Sequence, residues 1–357
     1  MREEEQARPW AQTLLQALRC AGLCLALAAV LLGLGRSASA AQAERTVIPM
    51  GRAVGIKLFS DGVLVVGLAD VPGQEGSAAP AKTCGLKQGD IITHINDTQV
   101  DTIEQVREVL QDLEGDKMSI RAMRGDKQVQ FTAQAVPCDD GTYKLGAWIR
   151  DSMAGIGTMT FYDPSTGLFG ALGHGINDVD TSLLMPLESG SIMYAEVSDV
   201  RKGQAGEPGE LHGAFQVERD LGSLFANTVG GVFGTLTDTG LADGLDPVPV
   251  AARSEVKVGP ATILSNIAGD DVEEYTVEII RVFPAGSHDT RELMVKVTDQ
   301  RLLDATGGIV QGMSGSPILQ NGTLVGSVTH VLITDPTQGS GILAETMLDT
   351  AQEAQSA

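Results

Sequence analysis

Gly312-Met313-Ser314-Gly315-Ser316-Pro317 (GMSGSP) stands directly before a β-prone stretch. A hydroxyl that acts as a nucleophile must stand out from a tight turn, and a tight turn brings glycines to either side. The N–H groups of the nucleophile and of the residue two before it then converge where a carbonyl oxygen becomes negative. In this chain those donors are Gly312 and Ser314. Ser316 is a competing hydroxyl, but Pro317 restricts its backbone, so the pattern favours Ser314. A serine is a weak nucleophile at neutral pH and needs a base. Among five histidines, His174 lies in FGALGHGI, residues 169–176, where flanking glycines give an imidazole room to approach a substrate. His94 falls inside a strand-like stretch, and His330, in VTHV, reads as capping or packing a strand. His212 and His288 lie in polar loops without a motif.

The imidazole in turn needs a group that fixes its tautomer and stabilises its charged form. The candidate carboxylates are Asp299, Asp304, Asp178 and Asp180. Asp178 and Asp180 are so near His174 in sequence that spacing neither favours nor excludes them. Asp299 follows the strand-like LMVKVT, residues 293–298, and precedes the serine by 15 residues, so it ranks first. The surrounding region, 138–357, is Gly-rich with short β-prone runs at 157–162, 229–236, 275–283, 293–297 and 324–331. Turn signals separate these runs and helical periodicity is scarce, which predicts an all-β barrel or sandwich.

Residues 51–137 carry a different pattern. GIKL, residues 55–58, opens the segment, a β-rich run covers 63–71, and GLKQGDIITHIN, residues 85–96, reads as a tight turn feeding an alternating strand. Ile103, Val106, Val109, Leu110 and Leu113 fall at helical spacing behind Thr102, a plausible N-cap. Two strands are predicted at 118–123 and 129–136. The segment resembles a PDZ domain, a module that captures an extended peptide by strand addition, often at its terminal carboxylate. The resemblance implies a carboxylate-binding loop, placed at Val54, Gly55, Ile56, Lys57 and Leu58.

Towards the N-terminus, Cys20–Gly35 is a run of 16 uncharged residues, followed by Arg36 and the small-x-small sequence Ala38-Ser39-Ala40. Residues 1–40 therefore read as a signal peptide or a membrane anchor, with both outcomes open, and 41–50 as a linker. The whole chain of 357 residues has a formal net charge of −21, and so acidic a surface repels nucleic-acid phosphate and anionic lipid. Gly reaches 43 residues and aromatic residues only 4%, which argues against a coiled coil or a helical bundle. Cys84 and Cys138 are the two cysteines outside the leader, and they could pair or stay free. There is no HExxH or CxxC, so neither a metal nor another cofactor is called for.

TGGIVQGMSGSPI and FGALGHGI, behind a PDZ-like segment and an apolar leader, together resemble the SpoIVB (stage IV sporulation protein B) serine peptidase family of endospore-forming bacteria. The resemblance implies a chymotrypsin-like double β-barrel in which His174 and Ser314 are catalytic and the acid falls on Asp299. It further implies a peptidase delivered across the inner forespore membrane to act in the intermembrane space. Such an enzyme cleaves itself, then a membrane-bound inhibitor of an intramembrane metalloprotease, and so triggers sigma-factor processing. Two rival readings are a non-enzymatic PDZ-containing envelope scaffold and an envelope quality-control protease. The latter usually places the peptidase before the PDZ domain, whereas here the PDZ-like segment comes first.

Overall fold

The computed structural model describes residues 45–73, 76–113, 117–138, 141–286 and 290–356. The leader 1–40 and His288 lie outside the described residues. Among these residues no helix is long and apolar enough to cross a membrane.

Along the chain, β1 (Thr46–Leu68) is followed by α1 (Pro80–Cys84), β2 (Ile91–Ile95), α2 (Ile103–Gln111), β3 (Lys117–Arg124) and β4 (Lys127–Gln134). Next come β5 (Ala147–Asp163), β6 (Leu168–Ala171), β7 (Ser189–Arg201), β8 (Glu210–Thr228) and β9 (Gly231–Leu236). The last third holds β10 (Gly259–Ala268), β11 (Asp271–Val282), β12 (Leu293–Val297), α3 (Gln300–Thr306), β13 (Pro317–Gln320), β14 (Thr323–Val331), β15 (Gln338–Leu343) and α4 (Ala344–Ser356).

The predicted all-β region forms two barrels. In the first, strand order is β5-β6-β9-β8-β7-β1, and β1 closes the ring by pairing with β5. Val54, Ile56, Met159, Phe169, Ile192 and Val232 fill its interior. The second is a closed barrel of order β10-β11-β12-β15-β14-β13, packed with Ile263, Val277, Ile279, Val295 and Val328. Alternation explains both: residues two apart share a face, and closure leaves no unpaired edge.

The PDZ-like segment is built from the end of β1 with β2, β3 and β4, over a core of Val63, Val65, Leu86, Ile92, Ile95 and Ile120. Its helix is α2, and Thr102 caps it as the spacing predicts: Thr102 accepts from the Gln105 amide while the Gln105 side chain accepts from the Thr102 amide.

Two expectations are corrected here. The segment 51–137 is not a unit placed before the barrels. Residues 46–59 of β1 are first-barrel strand, so the PDZ-like unit is inserted between two strands of that barrel. Val54–Leu58 is therefore not a carboxylate-binding loop. It pairs with Met153–Gly157 on one side and Gly190–Tyr194 on the other. Val54 and Leu58 are fully buried. A strand paired along both edges has no free amides for a ligand. GIKL reads the same as a barrel strand and as a loop-plus-strand, because its period reports burial and not partner.

Candidate active site

The GMSGSP turn lies between α3 and β13. Gly312 and Gly315 adopt positive φ of 98° and 103°. A Cβ on Gly315 would lie 1.9 Å from the Thr158 carbonyl oxygen, so only glycine fits. First-barrel strand β5 holds the turn through Thr158: its amide donates to the Ser314 carbonyl at 3.0 Å and its hydroxyl to the Gly312 carbonyl at 2.7 Å. Among the described residues, the N–H groups of Gly312 and Ser314 donate no hydrogen bond. The Ser314 hydroxyl donates to the Thr329 carbonyl at 2.6 Å. Ser316 is fully buried and bonded to the Ser265 hydroxyl, which removes it as a rival nucleophile.

His174 stands on the turn after β6, where Leu172 and Gly173 both have positive φ, 67° and 68°. Its Nδ1 lies 2.8 Å from the Gly175 carbonyl oxygen. A carbonyl only accepts, so Nδ1 carries the proton and neutral His174 presents a bare Nε2. Burial pushes the His174 imidazole below the ordinary histidine range, partly countered by that carbonyl. His174, Gly312 and Ser314 line one cavity of about 470 Å³, whose other walls are mostly apolar: Ile56, Met153, Ile176, Val310 and Ile333 among them. The two glycine-flanked side chains, 140 positions apart in sequence, thus come to one place.

Asp299 is not brought to that cavity. It is the N-cap of α3, and its two oxygens accept from the Arg301 and Thr276 amides and from the Arg301 guanidinium. Arg301 holds its carboxyl below the usual carboxylate range, against the opposing effect of burial. Asp178 is buried, accepts from the Thr181 amide and hydroxyl, and pairs with Arg150. Asp180 also meets Arg150, and Asp304 accepts from Gln300. Among the described residues, no Asp or Glu lines the cavity.

Sequence reasoning passed over Thr158 and Thr329 and read His330 as capping or packing a strand, and the fold brings all three to the site. The His330 ring lies 4.9 Å from the His174 ring, tilted by 38°. Nothing local marks these residues, because each arrives through long-range pairing.

A second cavity, about 650 Å³, lies between α2 and the start of β5 and is lined by Val71, Ile103, Val106, Leu110, Leu145 and Trp148 among others. Strand residues 147–150 pair with Leu64–Leu68 on one edge and, among the described residues, with no strand on the other. Just before them, the amides of Leu145 and Gly146 donate no hydrogen bond among the described residues. Gly146 has φ 75°, and a Cβ there would lie 2.5 Å from the Ala69 carbonyl oxygen. A free strand edge, successive free amides and an apolar wall are what an added peptide strand with a terminal carboxylate requires. These features sit at Leu145–Ile149, not at Val54–Leu58.

Cys84 and Cys138 carry free thiols. Among the described residues, no three His, Cys, Asp or Glu side chains gather as a metal site.

A family model described as SpoIVB peptidase S55 matches residues 141–348, and one described as PDZ domain matches residues 74–124. No curated protein matches the chain. Among solved structures, the PDZ domain of the SdrC-like protein (Lmo2051) from Listeria monocytogenes is 22% identical, over 25% of this chain and 87% of that one, at a TM-score of 0.20. The HtrA-type protease AlgW with decapeptide is 10% identical, over 58% of this chain and 54% of that one, at a TM-score of 0.34. The active form of the Rv3671c protease from M. tuberculosis is 14% identical, over 70% and 84%, at a TM-score of 0.31.

Proposed function

Because this chain belongs to the SpoIVB peptidase S55 family, we propose that it is a serine endopeptidase in which Ser314 attacks the scissile carbonyl and His174 takes its proton. One observation carries this reading: a serine in a tight turn, an imidazole with a bare Nε2 and two unengaged amides border one cavity. In this step the Ser314 hydroxyl gives up its bond to the Thr329 carbonyl in favour of Nε2. Its oxygen then bonds to the carbonyl carbon, the proton moves to Nε2, and the new oxyanion accepts from the Gly312 and Ser314 amides. His174 next gives the proton to the leaving amine, and water releases the acyl group by the same steps in reverse order. The Gly175 carbonyl supports the tautomer this requires. The family resemblance gives that task to Asp299, and an asparagine variant separates the two possibilities.

The same resemblance supports the wider role: export by the leader, action between membranes during sporulation, self-cleavage, and cleavage of a membrane-bound inhibitor of an intramembrane metalloprotease. The groove beside α2 suits a substrate tail or a segment of the enzyme itself. The experiment is covalent labelling with a diaryl phosphonate, read by peptide mass mapping. Label on Ser314 and its absence from Ser314→Ala support the reading. A folded wild-type protein that takes no label and does not process itself would be a peptide-holding envelope protein instead.

A further inference from the structure

Two stretches of the second barrel border the cavity around Ser314. One is residues 309–312, which end on the Gly312 amide; the other is residues 331–333, at the end of β14 and in the turn after it. Backbone contacts lace them together. The Ile309 amide donates to the Pro336 carbonyl at 2.8 Å, and a Cβ on Gly308 would lie 2.2 Å from that same carbonyl oxygen. The connection between β7 and β8 adds a third piece: its Gly206 amide donates to the Ile333 carbonyl at 2.8 Å, and its Pro208 joins the lining. The walls are therefore set before any ligand arrives. Their side chains are apolar. Ile309 and Val310 belong to the second-barrel core, Val331 packs against it, and Ile333 lines the cavity yet stands 54% exposed. Gln311, the polar residue of the two stretches, is exposed. Among the described residues, no Asp, Glu, Lys or Arg lines the cavity.

Resting on the peptidase reading above, we propose that this pocket receives the side chain of the residue whose carbonyl is attacked and selects an apolar one, with Val310, Val331 and Ile333 as its specificity-determining residues. The place follows from connectivity. In that reading the Gly312 and Ser314 amides hold the carbonyl oxygen, and the side chain in question branches one bond from the carbonyl carbon. Val310 is two residues before Gly312, at most about 7 Å along the chain, so a leucine-sized side chain reaches it. The selection follows from solvation. An apolar side chain gains by leaving water for these walls. An ammonium or a carboxylate loses its water there and meets no opposite charge on the lining. The exposed face of Ile333 is apolar surface that such a substrate residue covers.

The test applies to the full chain a series of diaryl phosphonates that differ in the side chain next to phosphorus: alanine, leucine, lysine and glutamate analogues. The leucine analogue should label Ser314 about 10- to 100-fold faster than the alanine one. The lysine and glutamate analogues should be no faster than alanine. Any of these three matching leucine would overturn the proposal while leaving the peptidase reading intact. Ile333→Asp sets a carboxylate in the wall, and because Ile333 is exposed the cores stay intact, which thermal melting checks. The ratio of leucine to lysine labelling should then fall about tenfold, and Ile333→Leu should keep it. A folded Ile333→Asp protein with the wild-type ratio would refute the assignment. If no analogue labels, the peptidase reading falls, and the pocket is decided by binding alone in Ser314→Ala protein. Acetylated tetrapeptide amides, which carry no terminal carboxylate for the groove beside α2, are titrated against the Ile333 methyl signal by NMR. A leucine-containing peptide should shift that signal at concentrations about tenfold lower than its lysine counterpart, and equal effects would also overturn the proposal.

Discussion

Replacing Thr158 by Val tests whether the nucleophile turn is held from the first barrel. Thr158 is fully buried, and its hydroxyl donates to the Gly312 carbonyl at 2.7 Å. Valine has nearly the same shape but leaves that carbonyl without a partner. An unsatisfied buried acceptor costs about 1–3 kcal/mol. The Thr158 amide still donates to the Ser314 carbonyl, and Gly315 still donates to Val328, so the turn loosens but does not unfold. The freed carbonyl belongs to the residue whose own amide is one of the two proposed oxyanion donors. If half of the mid-range cost, about 1 kcal/mol, appears as misalignment of that donor, the maximal phosphonate-labelling rate falls about fivefold. The thermal midpoint should also drop by a few degrees, at about 2–4 °C per kcal/mol for a domain of this size. Thr158→Ser, which keeps the hydroxyl, should recover the rate. A Thr158→Val protein that labels and melts like the wild type would show that the turn is self-supporting, and the argument for inter-barrel support would fail.

Two further variants probe the peptide groove and the carboxylate at α3. Leu110→Asp places a charge in the apolar wall beside α2, so binding of a fluorescent peptide with an apolar terminal residue should weaken about tenfold or more. Ser314 labelling should stay at the wild-type rate, and equal loss of both, or retained binding, would contradict the groove assignment. Asp299→Asn should lower the thermal midpoint at neutral pH while leaving the labelling rate within a few-fold; a severe loss of rate in a folded protein would return the catalytic acid to Asp299. The pH dependence carries the sign. Because Arg301 depresses the folded carboxyl, its stabilisation is present above the unfolded carboxylate pKa and is lost as pH falls through the folded one. The difference in midpoint between Asp299→Asn and the wild type should therefore shrink under acid conditions.

What could be read along the chain was whatever glycine or an N-cap dictates locally. GMSGSP and LGHGI expose a hydroxyl and an imidazole because their glycines permit turns closed to other residues, and both side chains reach one cavity. Thr102 announces α2 because capping is settled within four residues. The carboxylate of Asp299 was harder to read, since a residue after a strand and before a short apolar run suits an N-cap as well as a catalytic acid. Its partners Thr276 and Arg301 come from the ladder of the second barrel and from α3 itself. Val54–Leu58 misled for a related reason: strand pattern gives the buried face, while the identity of the neighbour is set by residues 95 or more positions away. His330 needed the bulge opposite Ser340, which no local rule announces.

The insertion of the PDZ-like unit changes what a bound peptide can sense. β1 enters that unit from the first barrel and β5 leaves it for the same barrel, so the two are joined by a continuous strand pair and not by a flexible tether. The ladder shifts register at three places, and at the largest, between Phe59 and Leu64, Ser60–Gly62 bulge out opposite Asp151 and Gly62 takes φ 81°. Asp151 fixes that point from the other side by accepting the Ile103 amide at the start of α2. The strand that presents a free edge at 147–150 continues to Thr158, which grips the nucleophile turn. Seven residues from Asp151 to Thr158 span about 23 Å at the rise of a strand. A tether of that length would let groove and cavity sample many relative orientations, whereas a paired strand holds their distance and direction together. In the proposed reading, the geometry by which a tail held in the groove would reach Ser314 is therefore set by β1 and β5, with the bulge at Ser60–Gly62 as a place where it can bend.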